Sequence, residues 1–337
     1  MGRKLRNLGI VVLSLAGFLT LINVIPPSKA VETNPFIKEK NEKVMIAAHR
    51  GGADTNPENT LLAYKAAVNE YKVDILESDL YLTKDGYLVY NHDSYVDETC
   101  NINGDISFDE MDELIEDKKN RHYIEDYTLE ELKQYNFGYY FEDEDGSRPY
   151  KNLSIEEVKE KGLQILEVED LFKEFYDTNK ELLFIVEIKN SGDRGYEACD
   201  KLASALDKFP EYKDQIVIGT FNPEIEEYLK ETYPSLHRGA STAGAAGFVI
   251  TQMLGVNLFN TNNFSCLQIP MSYDIKGINI KLDKKNYIKR AHRRNIAVQY
   301  WTINDKEEMK YLTDLGCDAI MTDDLEAAKE FVEEYYK

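Results

Sequence analysis

The stretch VMIAAHRGGADTNPENTLLAYKAAVNEYKVDILESDLYLTKDGYLVYNHD, residues 44–93, decides the fold. Its apolar start predicts a buried strand, its alanine-rich middle a helix, and the period-two alternation that follows a second strand. A turn and a return strand come next, and this strand is antiparallel because a four-residue turn cannot carry a parallel crossover. These segments are, in order, residues 44–48, 59–71, 73–82, 83–86 and 87–91.

The alternation of strands and helices continues to the C-terminus. Without the antiparallel return strand there are eight strand candidates, and helical patterns such as 193–208 and 306–315 separate most of them. Eight alternating units predict an α/β fold, a (β/α)₈ TIM barrel over residues 44–334. The candidates are residues 44–48, 74–81, 182–188, 216–221, 236–241, 277–281, 296–302 and 318–322.

Residues 94–162 are too many for one crossover and are rich in Asp, Glu, Tyr and Asn. We interpret them as an inserted subdomain on the active-site side of the barrel. Helical patterns within this insertion predict short helices at 108–117 and 128–135.

The N-terminus, residues 1–30, forms a separate segment. Basic residues precede an apolar run from Leu8 to Ile25, which is long enough to span a bilayer. A signal peptide cleaved near Ala30 is the alternative, and we favour the uncleaved membrane anchor. Basic residues before the run keep the N-terminus inside, so both interpretations place the catalytic body outside, at the cell membrane or secreted. Residues 31–43 are polar and predict a linker.

The composition excludes one class of partner. The chain has 337 residues and a formal net charge of −21, from 40 basic and 61 acidic side chains. Such a charge repels nucleic acid and anionic membrane, so nucleic acid is not an expected partner. It would also repel an anionic substrate, which therefore needs local cations at its site. The four cysteines lie far apart without a CxxC pair, which favours free buried thiols and identifies no disulfide.

Polar side chains lie at the predicted strand ends, where barrel enzymes place their chemistry. Glu77 and Asp79 are two residues apart and share one face of a strand, and Glu187 lies on the next strand. Three inward carboxylates cannot all stay ionised without a cation, which indicates one divalent metal with oxygen ligands, Ca²⁺ or Mg²⁺. The alternatives are an outer strand face for Glu77 and Asp79, and a buried ion pair between Glu187 and Lys189.

Two of the five histidines, His49 and His92, lie at strand ends beside these carboxylates. A pair of imidazoles can supply a general base and a general acid near neutral pH. Arg50 follows His49 and offers a planar fork of donors for a phosphate.

The motifs that contain these residues resemble those of the glycerophosphodiester phosphodiesterase family, within the PI-PLC-like phosphodiesterase superfamily. The resemblance implies a (β/α)₈ barrel with an insertion after the second histidine. It also implies metal ligation by Glu77, Asp79 and Glu187, with acid–base catalysis by His49 and His92. The motifs that carry it, in family order, are His49-Arg50-Gly51, Pro57-Glu58-Asn59-Thr60, Glu77-x-Asp79, Thr83-Lys84-Asp85-Gly86, His92-Asp93, Glu187-Ile188-Lys189, Trp301-Thr302-Ile303-Asn304 and Gly316 to Asp323.

The expected reaction is hydrolysis of a glycerophosphodiester to glycerol 3-phosphate and an alcohol. Arg50 and Lys189 would hold the phosphate, Trp301 would line the glycerol pocket or serve as a core tryptophan, and His49 would be the base and His92 the acid. One alternative is a related phospholipase acting on lysophospholipid, phosphoinositide or sphingomyelin. An alternative of another class is a barrel that binds without catalysis.

Overall fold

Eight parallel strands form a barrel in the computed structural model, which describes residues 2–39 and 42–337. Their order around the barrel is β5-β4-β3-β2-β1-β8-β7-β6, and a parallel bridge between Gly239 and Cys266 closes the ring. The predicted (β/α)₈ barrel is therefore confirmed. The strands are β1 Met45–Ala48, β2 Ile75–Leu82, β3 Leu183–Ile188, β4 Ile216–Gly219, β5 His237–Arg238, β6 Cys266–Ile269, β7 Ala297–Tyr300 and β8 Ala319–Thr322.

Helices cover the outside of the barrel and bury their apolar faces against the strands. A typical start is that of α2, where the Thr60 hydroxyl accepts a hydrogen bond from the Ala63 N–H and so satisfies a free helical donor. The helices are α1 Gly2–Val24, α2 Leu61–Asn69, α3 Phe108–Glu116, α4 Leu129–Leu132, α5 Ile155–Lys161, α6 Val168–Tyr176, α7 Gly192–Lys208, α8 Pro223–Thr232, α9 Thr242–Met253, α10 Lys285–His292, α11 Lys306–Leu315 and α12 Leu325–Tyr335.

One of the eight predicted barrel strands is wrong. Residues 277–281 do form a strand, Ile278–Lys281, but it pairs antiparallel with Ser272–Ile275 in a hairpin outside the barrel. The sixth barrel strand is β6, Cys266–Ile269. The alternating pattern of 277–281 is typical of a strand with one solvent-exposed face, whereas barrel strands are buried on both faces.

The insertion follows the return strand Leu88–Tyr90, which pairs antiparallel with β2 as predicted. It contains α3, α4 and α5, so short helices form in both predicted places. Three Ser or Thr caps, each followed three residues later by Glu, start these helices with reciprocal hydrogen bonds. The insertion also has a small core of its own, formed around Val96, Cys100, Leu132 and Phe137.

Residues 30–38 cross the floor of the barrel, meaning the end at which the strands begin. Phe36 is fully buried there among the inward side chains of the barrel. The Asn34 side chain donates to the carbonyls of Ser265, one residue before β6, and Asn295, two residues before β7. We call residues 30–38 the floor strap. Residues 40 and 41 of the predicted linker lie outside the described residues.

The N-terminal helix α1 contains Arg6–Val24, a 19-residue stretch long and apolar enough to cross a membrane. Most of its apolar side chains are exposed, and its last turn contacts the barrel. It is thus a candidate for a signal sequence or a membrane anchor. All four cysteines are buried and free, as the sequence favoured.

Candidate active site

A sharp turn at the end of β1 places His49 and Arg50 at the active-site end of the barrel, where the strands end. Arg50, Gly51 and Gly52 all have left-handed backbone, with φ of 52°, 88° and 92°. Glycine meets no steric penalty in this conformation, and a Cβ on Gly51 would come within 2.9 Å of the Ala63 side chain. The turn therefore needs its glycines, and it aims two functional side chains into the barrel mouth.

His49 is held by a carboxylate from the last strand. Its Nδ1 lies 2.6 Å from Oδ1 of Asp323, which directly follows β8. Burial lowers the pKa of His49, but the hydrogen bond to Asp323 and the charge of Glu77 outweigh burial and raise it above 6.5. Burial opposes ionisation of Asp323 too, yet the contacts with His49 hold its pKa below the usual value. An ionised carboxylate only accepts, so Nδ1 carries the proton and Nε2 faces the cavity.

Glu77, Asp79 and Glu187 lie side by side on β2 and β3. Asp79 and Glu187 are register partners across the two strands, while Glu77 and Asp79 are 5% and 2% exposed. Burial and the neighbouring Asp79 raise the pKa of Glu77 to about 8, and burial also raises the pKa of Glu187. The barrel thus concentrates negative charge where water solvates it poorly, and a cation would relieve this cost.

Two basic side chains partly offset that charge. Lys189 Nζ lies 3.3 Å from Oδ1 of Asp79 and 3.5 Å from Oε1 of Glu187. Arg50 Nε lies 3.5 Å from Oδ2 of Asp79, and its backbone N–H donates to Oε2 of Glu77 at 2.9 Å. Arg50 and Lys189 are therefore fixed beside the carboxylates, in reach of the same space.

The carboxylates fit the donor set of a hard divalent cation. Oδ2 of Asp79 is buried and accepts no hydrogen bond, although buried polar atoms nearly always have a partner. Three carboxylates on neighbouring strands supply the oxygen ligands that Ca²⁺ and Mg²⁺ prefer. Within residues 2–39 and 42–337 no three Asp, Glu, His or Cys side chains already form a tight cluster. A cation held by Glu77, Asp79 and Glu187 would require these three side chains to draw together.

One cavity of about 310 Å³ brings the predicted site together at the barrel mouth. His92 reaches it from the loop after the return strand, with its Nδ1 3.4 Å from Oδ1 of Asp93. Trp301 reaches it from the end of β7. The lining includes all eight side chains singled out in the sequence: His49, Arg50, Glu77, Asp79, His92, Glu187, Lys189 and Trp301.

A second cavity of about 270 Å³ lies on the other side of Arg50, towards the insertion. Phe137, Tyr140 and Phe141 of the insertion supply part of its wall. The insertion therefore does lie beside the candidate site, and space for a second substituent of a phosphate exists there.

Several residues that the structure brings to the site have no role predicted from the sequence. Asp323 orients His49, and Glu58 accepts from Arg50 Nη1 at 2.9 Å. Phe221, 59% exposed, and Gln268 line the main cavity. The rule that active sites lie at strand ends could have indicated Asp323 and Phe221, because both lie at or just after predicted strand ends. Gln268 belongs to the barrel strand that was not predicted.

Comparisons with known proteins identify the family of the chain. The model of the glycerophosphoryl diester phosphodiesterase family matches residues 49–327. A glycerophosphodiester phosphodiesterase of Caldanaerobacter subterraneus is 28% identical over 285 residues, covering 84% of this chain and 96% of its own. One from Bacillus subtilis is 25% identical over 326 residues, covering 95% of each chain.

Solved structures show the same fold. The crystal structure of a glycerophosphodiester phosphodiesterase from Agrobacterium tumefaciens has a TM-score of 0.59 at 16% identity, covering 86% of this chain and 100% of its own. An Oleispira antarctica phosphodiesterase, solved with its product sn-glycerol-3-phosphate, has a TM-score of 0.58 at 18% identity, with coverages of 86% and 96%. With a family match over most of its length, this chain belongs to the glycerophosphoryl diester phosphodiesterase family and is a phosphoric diester hydrolase.

Proposed function

We propose that the protein hydrolyses glycerophosphodiesters to glycerol 3-phosphate and an alcohol by acid–base catalysis between two histidines. The observation that carries this proposal is the single cavity at the barrel mouth. Two imidazoles, three carboxylates and two cationic side chains line it together, and each group has a use in phosphodiester hydrolysis.

Arg50 and Lys189 bind the phosphate. Both are fixed at the cavity by the carboxylates beside them, and they supply at the site the positive charge that an anionic substrate needs on a chain of net charge −21. Trp301 lines the glycerol side. The leaving alcohol extends past Arg50 into the second cavity, whose wall comes from the insertion.

His49 acts as the base and His92 as the acid. The proton on Nδ1 of His49 is directed to Asp323, so Nε2 is free to take a proton from the attacking hydroxyl. That hydroxyl belongs to water or to the glycerol itself. The attack forms a new P–O bond and breaks the P–O bond to the alcohol, whose oxygen takes a proton from His92. Attack by water gives glycerol 3-phosphate directly. Attack by the glycerol hydroxyl gives a cyclic phosphate, which water opens in a second step: His92 takes the proton of the water, and His49 returns a proton to the glycerol oxygen.

Glu77, Asp79 and Glu187 would hold one divalent cation, Ca²⁺ or Mg²⁺. When bound, it supplies positive charge that stabilises the phosphate oxygens in the transition state. The carboxylates also keep Arg50 and Lys189 in position.

The test is release of glycerol 3-phosphate from glycerophosphocholine. We expect His49→Asn and His92→Gln to reduce kcat by about 10²- to 10⁴-fold, the usual contribution of general acid–base catalysis. His122→Gln is the matched control, since the His122 side chain is exposed to 29%, against 31% for His92, and each has an aspartate near Nδ1. Equal activity of the His92 and His122 variants would exclude the proposed acid.

The metal has a separate test. Exhaustive chelation should abolish turnover, and Ca²⁺ or Mg²⁺ should restore it. Binding of either ion should also raise the melting temperature, because a ligand that binds only the folded state stabilises it. The Glu187→Gln variant should lose this thermal shift, and a full shift in that variant would remove Glu187 from the ligand set.

We also propose that α1 is an uncleaved membrane anchor with the barrel outside the cell. The apolar stretch Arg6–Val24 and its mostly exposed side chains support this. The full-length chain should then stay with membranes after alkaline carbonate extraction. Release of the full-length chain into the supernatant would contradict the anchor.

A further inference from the structure

Acidic residues are unevenly distributed along this acidic chain. Of its 337 residues 61 are Asp or Glu, yet residues 1–31, 232–273 and 284–304 contain none. The third segment carries six Lys or Arg: Lys284, Lys285, Lys289, Arg290, Arg293 and Arg294. A face built from these segments would differ in charge from the rest of the molecule.

The fold brings these three segments together at the end of α1. The Asn23 side chain donates to the Gly255 carbonyl at 2.7 Å. Arg293 donates to the carbonyls of Asn23 and Ile25 at 2.7 and 2.9 Å, and Arg290 donates to the Asn23 side chain. Arg293 thus binds the carbonyls at the end of α1, where cations are favoured, and Arg290 binds the Asn23 side chain.

Large apolar side chains are exposed beside this junction. The exposed fractions are 54% for Ile250, 62% for Met253, 64% for Leu254 and 58% for Phe259. Outside α1 and Ile25, the described part of the chain has twelve exposed large apolar side chains, and these ten residues hold four of them. Such clusters commonly mark contact surfaces. We call residues 250–259 with 284–293 the basic–apolar face.

The lysines and arginines of this face form no salt bridge within the described residues, whereas His292 pairs with Asp318. Lys284, Lys285, Lys289 and Arg293 are exposed, and none forms an ion pair within the described residues. Lys284, Lys285 and Arg290 line one groove together with Met253 and Leu254. Unpaired cations next to exposed apolar side chains are what an anionic lipid surface attracts.

The face lies away from the candidate active site. Helix α9 starts at Thr242, next to Ala240 of the active-site cavity, and ends at Met253 in the basic groove. Twelve helical residues rise about 18 Å along the axis. Arg293 lies close to the start of β7, towards the floor of the barrel.

We propose that the basic–apolar face rests on the anionic lipid surface of the bilayer in which α1 is anchored, so that the active-site cavity opens away from that bilayer. This inference rests on the proposed membrane anchor. The occupant of the face is lipid. The exposed apolar side chains among residues 250–259 enter the interfacial region of the bilayer, and the α10 lysines contact the phosphate groups of the lipid headgroups.

The experiment uses the full-length chain in nanodiscs of phosphatidylcholine, with or without phosphatidylglycerol, containing spin-labelled lipid as a quencher. A fluorophore is placed on Leu254→Cys, on Phe221→Cys at the cavity rim, or on Phe108→Cys in the insertion, three exposed positions. The four native cysteines are buried, so the new thiol is labelled selectively. We expect loss of fluorescence only at position 254, and a greater loss with phosphatidylglycerol.

Charge is tested with two matched double variants. Lys285→Gln with Lys289→Gln should lessen the phosphatidylglycerol-dependent part of the quenching. Lys118→Gln with Lys119→Gln, two exposed lysines of the insertion without ion pairs, should leave it unchanged.

The outcomes separate the two proposals. A chain that does not co-float with the discs overturns both the anchor and this inference. A chain that co-floats but shows no quenching at position 254, or equal quenching at position 221, overturns this inference and leaves the anchor standing. Quenching at position 254 that does not respond to phosphatidylglycerol or to the α10 lysines removes the role of charge.

Discussion

At the scale of single residues, the contact between Asp323 and His49 determines how the imidazole faces the substrate. The two side chains come from opposite ends of the sequence, yet their atoms lie 2.6 Å apart. Asn304 also donates to Asp323, and its own side-chain oxygen accepts from the Thr322 hydroxyl and the Asp323 N–H. The orientation of the proposed base therefore depends on a fixed network around β8.

Asp323→Asn should reduce kcat for glycerophosphocholine by roughly 100-fold or more, because an amide can present N–H to Nδ1 and turn the imidazole to the wrong tautomer. KM should change little, since Asp323 forms no hydrogen bond or ion pair with Arg50 or Lys189, the two residues proposed to bind the phosphate. Asp324→Asn makes the same change one residue away, at the cap of α12, and should keep near-normal kcat. Similar kcat values for both variants would contradict the positioning role of Asp323.

His237 gives the stability a pH dependence of its own. It is 8% exposed, bonds Ser265 Oγ and packs edge-on against Phe36. Burial lowers its pKa below 6.5, with a smaller opposite effect from Asp214. The unfolded chain therefore binds the proton more readily, and this contribution to stability is full above pH 6.5 and falls as the pH drops towards the folded-state pKa.

His237→Gln should remove this pH dependence of the free energy of unfolding, whose slope cannot exceed about 1.4 kcal/mol per pH unit for one group. Urea unfolding of both proteins at several values between pH 5 and 8 measures it. His292→Gln, which removes a part-exposed histidine paired with Asp318, serves for comparison. An unchanged slope in the His237 variant would show that its burial does not control acid stability.

At the scale of elements, the floor strap acts as a plug, because it fills the end of the barrel at which the strands begin. Ala30 donates to the Arg294 carbonyl at 2.7 Å and Lys38 to the side chain of Asp318 at 3.2 Å, so both ends of the strap are tied to the barrel. Between them Phe36 fills the space inside the ring of strands. The strap therefore contributes to the barrel core, although the sequence of residues 31–43 as a whole predicts a polar linker.

Phe36→Ala should destabilise the protein by about 3–5 kcal/mol, the usual cost of removing a buried phenyl group. Typical domains are stable by only about 5–15 kcal/mol, so much of the stability would be lost. Phe108→Ala, at a position 45% exposed, should cost far less. Urea unfolding checks both, and equal losses would mean that Phe36 does not serve as a plug.

The sequence predicted the barrel because most of its strands are apolar runs followed by helical periodicity. It failed at β6 because the polar residues Ser265 and Gln268 interrupt the apolar run that ends at Ile269, while the nearby 277–281 alternates as an exposed hairpin strand does. The candidate site was largely predictable, since its residues lie on one face of β2 and β3 or just after strand ends. The roles of Asp323 and Glu58 could not be predicted from the sequence, because each depends on a side-chain contact formed only in the folded chain.

At the scale of the whole molecule, charge and apolar surface are segregated. The acidic residues are concentrated outside the basic–apolar face, and the candidate active site lies at the other end of α9 from the basic groove. If the face rests on the bilayer, the cavity meets the aqueous phase, and its substrates are water-soluble glycerophosphodiesters rather than lipids of the same membrane.

In nanodiscs the full-length protein should hydrolyse added glycerophosphocholine but leave lysophosphatidylcholine in the same disc intact. The reason is geometric, because a lysolipid would have to leave the bilayer to reach the cavity. The ratio of choline released from the two substrates measures this. Rapid turnover of disc-bound lysolipid would instead support the phospholipase alternative.

The tied floor strap also constrains the timing of any N-terminal processing. In the folded chain the Ala30 N–H is already bonded to Arg294, and Asn295 donates to the Val31 carbonyl. A protease needs an extended, unpaired backbone, so cleavage after Ala30 would have to occur during export, before the barrel closes over the strap. Once folding is complete, the strap protects the junction, and the choice between a secreted and a tethered enzyme is already made.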